Sequence, residues 1–347
     1  MKHFVCLLTA GFLLFAMPFG LAQSSVLLPV ARPSCRMVFY NTENFFDARH
    51  DSLKNDEDFL PEGSYHWTWL RYRLKAHRIA QALAAAGDGR LPALIGLAEI
   101  ENDGVVETLL REFHQAEYRY IHYESPDWRG IDVALIYDRF RLKLIDSEAI
   151  PVVMPSENGV PGRPTRDILH ASFLLPDQHV YHVFVCHWPS RYGGARASEP
   201  LRFQAAATLR RRVEELFLAD PQARIVIMGD LNDEPSDRSV AEVLGAHPDT
   251  ARCRPASLYD LLWRQARTAP VKSHKYQGEW SMLDHIIVSS SLYASPGLSA
   301  GVVNAAFLLE EDEKYLGLRP KRTYVGRSYH GGYSDHLPVF ADIPAGE

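Results

Sequence analysis

The stretch IVIMGDLNDEPSD (225–237) runs from apolar chain of the buried type straight into Asp230, Asn232, Asp233 and Glu234. Such groups lose free energy when taken from water without a partner. The same juxtaposition recurs along the chain. Asn41 follows RMVFY, Glu99 follows LIGLA and His187 follows VYHVFVC, while Asp284 and the pair Asp335-His336 stand at the head of DHIIV and LPVF. Carboxylates and carboxamides are oxygen donors that suit Mg²⁺, Mn²⁺ or Ca²⁺, whereas zinc calls for more His and Cys at close spacing. A hard divalent ion, a histidine to neutralise charge and an acid to orient water together fit hydrolysis of a phosphate ester. A helix-loop-helix calcium site beginning at Asp230 is excluded. Pro235 stands where its sixth-position glycine belongs and Ala241 where its bidentate glutamate belongs.

Something must hold these groups together. β-prone runs recur at 36–40, 94–98, 132–137, 168–175, 180–186, 224–229, 283–289 and 337–343. Helical spacing of apolar residues covers Trp69 to Ala86 and Ser198 to Ala219, the second with Ser198 as N-cap and Pro200 in its first turn. Strands mixed with helices, without strict alternation, predict two packed sheets with helices outside. Antiparallel neighbours would then bring strand ends (Asn41, Glu99, His187, Asp230, Asn232) and strand starts (Asp284, Asp335-His336) to one rim, where a rigid sheet edge holds functional groups.

Residues 1–22 read as a secretory signal peptide. Lys2 gives a basic start, Phe4 to Leu21 carries no charge, and Gly20-Leu21-Ala22 supplies the cleavage positions. Gly11 and Pro18 interrupt the apolar run, which argues against a retained anchor. The expectation is a mature chain of residues 23–347, one domain, monomeric, exported to the periplasm or the exterior, with no stable membrane anchor. Cys35, Cys186 and Cys253 remain after cleavage, so at most one internal pair can form. The formal net charge of −6 excludes a broad basic surface, though not a local basic cleft.

The ordered set NTEN (41–44), AEIEN (98–102), RGIDVALIY (129–137), TRDIL (165–169), CHWPSR (186–191), GDLND (229–233), LDHIIV (283–288) and YSDHLPV (333–339) resembles the endonuclease/exonuclease/phosphatase superfamily. The resemblance covers nearly the whole mature chain. It implies a deoxyribonuclease-I-like, four-layer α-β-β-α sandwich of two mixed β-sheets, with the site at one end. It also implies that Asn41, Glu99 and Asp335 hold the metal and that Asp230 orients or deprotonates the attacking water. Asn232 would hold the phosphate or that water, His336 would meet the phosphate while Asp284 orients it, and His187 would lie beside the scissile phosphate. Arg166 takes the position of a phosphate-binding arginine. Asp132, a candidate substrate-binding residue and partner of His187, reads equally as a strand-start cap, and Glu101 as a solvated loop acid. Arg191 reads equally as a substrate contact or a solvated arginine, and Arg210, Arg211 and Arg212 as a solvated helix face. The cofactor expected is Mg²⁺, with Mn²⁺ or Ca²⁺ as alternatives. The leading substrate is nucleic acid or another phosphodiester. Inositol, sugar or sphingolipid phosphates come second, and a non-catalytic binding role on the same scaffold third.

Overall fold

The structure, a computed structural model, describes Met1 and residues 34–155 and 162–344. Met1 apart, the expected signal segment lies outside the described residues. The strands of the two large sheets are β1 (Ser34–Phe45), β2 (Leu94–Ile100), β3 (Tyr118–His122), β4 (Asp132–Asp138), β5 (Lys143–Ile150), β6 (Ile168–Leu174), β7 (Val180–His187), β8 (Arg224–Asp230), β9 (Ala246–Pro248), β10 (Leu258–Asp260), β11 (Asp284–Ser289), β12 (Ser299–Val302) and β13 (Val339–Pro344). One sheet runs β12-β13-β1-β2-β4-β3, the other β5-β6-β7-β8-β11-β10-β9. Each is mixed: β1–β2 and β7–β8 are parallel, and most other pairs are antiparallel.

Period-two alternation builds the layers. Met37 and Phe39 of β1, Val183 and Val185 of β7, Val226 and Met228 of β8, and Ile286 and Val288 of β11 share the core between the sheets. Their neighbours Val38 and Tyr40 face the helix α1 (Trp69–Ala86), where Ala76, Ile79 and Leu83 cover them. Phe184, Ile225 and Ile227 lie under α3 (Ala195–Ala219) through Ala205, Leu209 and Val213. Each such apolar side chain removed from water contributes about 1.5–3 kcal/mol. A third helix, α2 (Asp103–Phe113), follows β2. Asn102 caps it by accepting the Val105 N–H at 3.1 Å.

Three local readings need correction. The second long helix starts at Ala195, so Ser198 does not cap it and Pro200 lies beyond its first turn. The Ser198 hydroxyl bonds back to the Gly194 carbonyl at 2.9 Å and receives Arg202 at 2.8 Å. That local bonding lets serine sit inside a helix. Glu101 is buried rather than solvated, accepts the Asp47 N–H at 2.6 Å, and burial pushes its carboxyl up to about 8. Asp132 accepts the Ser125 N–H at 3.1 Å and lies 3.5 Å from His122, so its neighbours are on β3 and the loop before β4. Cys35, Cys186 and Cys253 are unpaired, and no helix among the described residues is long and apolar enough to cross a membrane.

His285 illustrates how β11 is fixed from behind. It faces away from the inter-sheet core, is fully buried, and places Nδ1 2.7 Å from Asp260 and Nε2 2.9 Å from the Asp233 carbonyl. Burial pulls its pKa down, but Asp260 outweighs that, so it stands above its ordinary value. A histidine with a raised folded pKa contributes stability that is complete below its unfolded pKa and is lost as pH rises through the folded one. Asp260→Asn is therefore expected to cost about 3–5 kcal/mol at pH 6 and measurably less at pH 9, because a buried imidazolium loses its partner. Urea unfolding at the two pH values checks this, and an equal loss at both would refute the charged pair.

Candidate active site

Pairing register assembles the first part of the site. His187 on β7 stands opposite Asp230 on β8, and Asp230 opposite Asp284 on β11. The three occupy one rung across adjacent strands. By alternation they continue the inter-sheet face of Val185, Met228 and Ile286, so their side chains emerge where the core ends. Gly229, just before Asp230, packs so tightly on β7 that a Cβ there would run into the Cys186 carbonyl. That accounts for the glycine of GDLND.

The opposing sheet supplies the rest. Asn41 continues the inter-sheet face of Met37 and Phe39. Its amide donates to Asp230 Oδ2 at 3.0 Å and lies 3.4 Å from Glu99 Oε1, tying the two sheets together. Glu99 sits at a break in the β1–β2 register with φ 63°. A non-glycine residue in that left-handed region costs about 1–2 kcal/mol. The bulge re-aims its carboxylate, which accepts the Asn44 N–H at 2.6 Å. Ser334 donates to the Asn41 carbonyl at 2.7 Å and receives the His336 N–H at 3.1 Å, which sets the SDH turn against β1.

Asp230 Oδ2 is the centre of the arrangement. It lies 3.7 Å from His187 Nε2 and 3.8 Å from His336 Nε2. His336 Nδ1 is 2.7 Å from Asp284 Oδ2, which fixes Nδ1–H and turns Nε2 toward Asp230. The two histidines are driven apart in protonation. Burial opposes charge on His336, but Asp284 and Asp230 overcome it and hold the imidazolium well above the usual range. Burial, with Arg166 and Arg129 nearby, pushes His187 well below it, so that ring is neutral. Burial raises the Asp230 carboxyl to about 7, against the pull of His336. A neutral imidazole and a carboxylate poised near neutrality on one rung, faced by a cationic donor from the SDH turn, can bind an anionic phosphoryl group and move a proton beside it.

Asn232, at φ 52°, donates its amide to the Trp188 carbonyl at 3.1 Å, and Arg166 donates to the same carbonyl at 2.7 Å. Of the expected site residues, the structure brings Asn41, Glu99, His187, Asp230, Asp284 and His336 together, with Asn232 and Arg166 beside them. Asp335 borders the group, 4.0 Å from His336 Nε2. Asp132 has no contact with His187.

The sequence reading missed several supports. Arg322 pairs with Asp335 at 2.8 Å. His274 stacks near His336 at 4.6 Å between ring centroids, and burial and His336 pull its pKa down to about 4. Despite its burial, Asp335 is drawn down to about 2 by His336 and Arg322. Ser273 Oγ receives both the Leu283 and Asp284 N–H groups at 3.1 Å. Nothing in the local sequence around Ser273, His274 or Arg322 marks these roles. Arg191 is a clamp on the catalytic loop, donating to the Asn232 carbonyl at 2.7 Å and pairing with Asp237 at 2.7 Å.

The donor set fits a hard divalent cation. Glu99 and Asp230 converge on a single Asn41 amide, and Asp284 Oδ1 is buried with no hydrogen-bond partner. The carboxylates of Asp230 and Asp284 on the rung also lie close enough to share an ion, with protonated His336 beside them rather than among the ligands. Glu99, with Asn41 beside it, would hold the ion on the oxygen-rich side. Asn41 Oδ1 already accepts the Glu43 N–H at 3.0 Å but keeps a second lone pair. A bound ion there would polarise a phosphoryl oxygen and acidify a water.

Comparison with known proteins bears on the family and the fold. The sequence profile of the endonuclease/exonuclease/phosphatase family matches residues 36–344. No curated protein sequence matches. Among solved structures, an endonuclease/exonuclease/phosphatase family protein from Bacteroides thetaiotaomicron superposes with a TM-score of 0.55 at 17% identity, over 90% of this chain and 98% of that one. A mannosyl-6-phosphatase of Bacteroides thetaiotaomicron VPI-5482 gives 0.55 at 17% identity, over 89% and 99%. D. rerio TDP2 in complex with a single-strand DNA product gives 0.52 at 17% identity, over 89% and 98%. At these identities the structural likeness speaks for the fold, two packed mixed sheets. The profile match over nearly the whole described chain goes further: this protein belongs to the endonuclease/exonuclease/phosphatase family.

Proposed function

We propose that the protein is an exported, divalent-metal-dependent phosphodiesterase acting on nucleic acid, with Mg²⁺ or Mn²⁺ as its ion. The observation that supports this best is Asp230 Oδ2 lying 3.7 Å and 3.8 Å from two histidines of opposite charge state. In-line attack on phosphorus needs an oriented water on one side and positive charge on the phosphoryl oxygens. Asp230 orients or deprotonates the water, and protonated His336 donates to the oxygens. Arg166 offers the bidentate geometry that phosphate favours. The segment 1–22 supports export, and an exported chain meets nucleic acid released into its surroundings.

The test offers the mature chain, residues 23–347, plasmid DNA, RNA, a sphingomyelin analogue, inositol phosphates and a bis-aryl phosphate with Mg²⁺ or Mn²⁺. Cleavage of nucleic acid and of the bis-aryl ester, abolished by EDTA, is the expected result. EDTA-sensitive release from only sugar, inositol or sphingolipid phosphates would replace nucleic acid as substrate. Turnover unaffected by EDTA would remove the metal, and a folded chain that turns over nothing would leave the binding-protein reading.

A further inference from the structure

A cleft of about 620 Å³ opens beside the catalytic rung, within the ~300–1,000 Å³ range of small-molecule sites. Trp128, Arg129, Arg163, Thr165, Arg166 and Tyr192 are among the residues that line it. It shares a wall with the site, because the Trp188 carbonyl takes Arg166 from one side at 2.7 Å and Asn232 from the other at 3.1 Å.

Two features show that the cleft is built to take an anion. Three arginines, Arg129, Arg163 and Arg166, line the cleft with one carboxylate, Asp127, which accepts Arg166 Nη1 at 3.2 Å and lies 3.6 Å from Arg129 Nε. Arg166 and Thr165 are each only 5% exposed, yet Arg166 Nε and Thr165 Oγ1 have no hydrogen-bond partner among the described residues. A buried polar atom without a partner is rare enough to require an explanation, and a bound acceptor supplies one. The cleft also presents exposed aromatic rings. Trp128 is 42% and Tyr192 90% exposed, and the Arg163 guanidinium lies 4.1 Å over the Trp128 ring.

Cations beside exposed rings match a nucleotide, whose phosphate takes arginine and whose base stacks on an aromatic or guanidinium plane. A sugar monophosphate spends its only phosphate at the rung, and a lipid chain gains nothing from guanidinium walls. We infer that this cleft is the subsite for the nucleotide adjoining the scissile phosphate, its phosphate held by Arg129, Arg163 and Thr165 and its base stacked at Trp128 or Tyr192. The inference rests on the proposed phosphodiesterase reading and names the substrate unit that reading leaves open.

The test uses the mature chain with Mg²⁺ and the exposed-residue variants Trp128→Ala, Trp128→Phe and Arg163→Ala, with hexathymidylate and bis-p-nitrophenyl phosphate as substrates. Loss of one stack is expected to raise KM for hexathymidylate roughly 10-fold with kcat unchanged. Trp128→Phe should recover most of it, and turnover of the small ester should stay within about twofold. Binding is read separately as fluorescence anisotropy of labelled hexathymidylate on the His336→Ala protein, where adding Trp128→Ala should weaken Kd by the same factor. An unmoved KM and Kd, or equal losses on both substrates, would overturn the subsite. Should the wild type hydrolyse the small ester but neither bind nor cleave hexathymidylate, the subsite fails and the catalytic rung stands. Should it bind hexathymidylate through Trp128 and cleave nothing, the subsite stands and the hydrolase reading fails.

Discussion

Replacing His336 by alanine is expected to lower kcat on a phosphodiester by roughly 10²–10⁴-fold, the range for losing a positioned proton-transfer group or a preorganised donor to developing charge. Its imidazolium is buried, held in one orientation by Asp284 at 2.7 Å, and aimed 3.8 Å from Asp230. The neighbouring Arg322 is committed to Asp335 at 2.8 Å. Asp284→Asn should retain part of the turnover, because an amide oxygen still accepts Nδ1–H while no longer favouring the charged ring. Steady-state kinetics on bis-p-nitrophenyl phosphate, with circular dichroism to establish folding, makes the comparison. Wild-type turnover by the alanine variant would remove His336 from the mechanism.

Replacing Asp233 by alanine is expected to cost stability rather than chemistry alone. Asp233 stands 2.6 Å from the Nε of Arg202, receives the Ser239 hydroxyl at 2.6 Å, and lies 3.2 Å from Arg191. Arg202 is almost wholly buried on α3, so the truncation strands a guanidinium without a counter-charge. Breaking a buried pair in this way costs about 3–5 kcal/mol. Arg191 also holds the Asn232 carbonyl at 2.7 Å, so kcat should fall together with the unfolding free energy. Asp233→Asn keeps the serine contact and should fall between the wild type and Asp233→Ala. Equilibrium urea unfolding is the measurement, and an unchanged unfolding free energy would show that the network carries no net stability.

Long apolar runs were the legible part of this fold. RMVFY, VYHVFVC and RIVIMG are strands buried on both faces, and the polar groups at their ends met at one rim because β7–β8 are parallel and β8–β11 antiparallel. The sheet edges were not legible. β3 and β5 are mostly exposed and half-buried, some of their residues charged, with only Tyr118 and Ile121 of β3 buried, which is how edge strands avoid mispairing and also how they escape a hydrophobic pattern. The helix start failed at Ser198 because serine bonds to the preceding turn as readily as it caps. Glu101 looked like a solvated loop acid, and nothing local marked Asp233 as one half of a buried ion pair. Their burial comes from residues far away in sequence, Asp47 and Arg202, which no local pattern announces. The cleft was hidden for the same reason: Trp128 and Arg163 meet only in the folded chain.

The cross-strand rung carries a consequence for how this protein acquires activity. His187, Asp230 and Asp284 are neighbours only because three strands are paired in one particular alignment, and a one-residue slip of any of them would turn its functional side chain to the opposite face. Assembly of the site is thus tied to folding itself: completing the sheets in register brings these groups together, and a misaligned strand separates them.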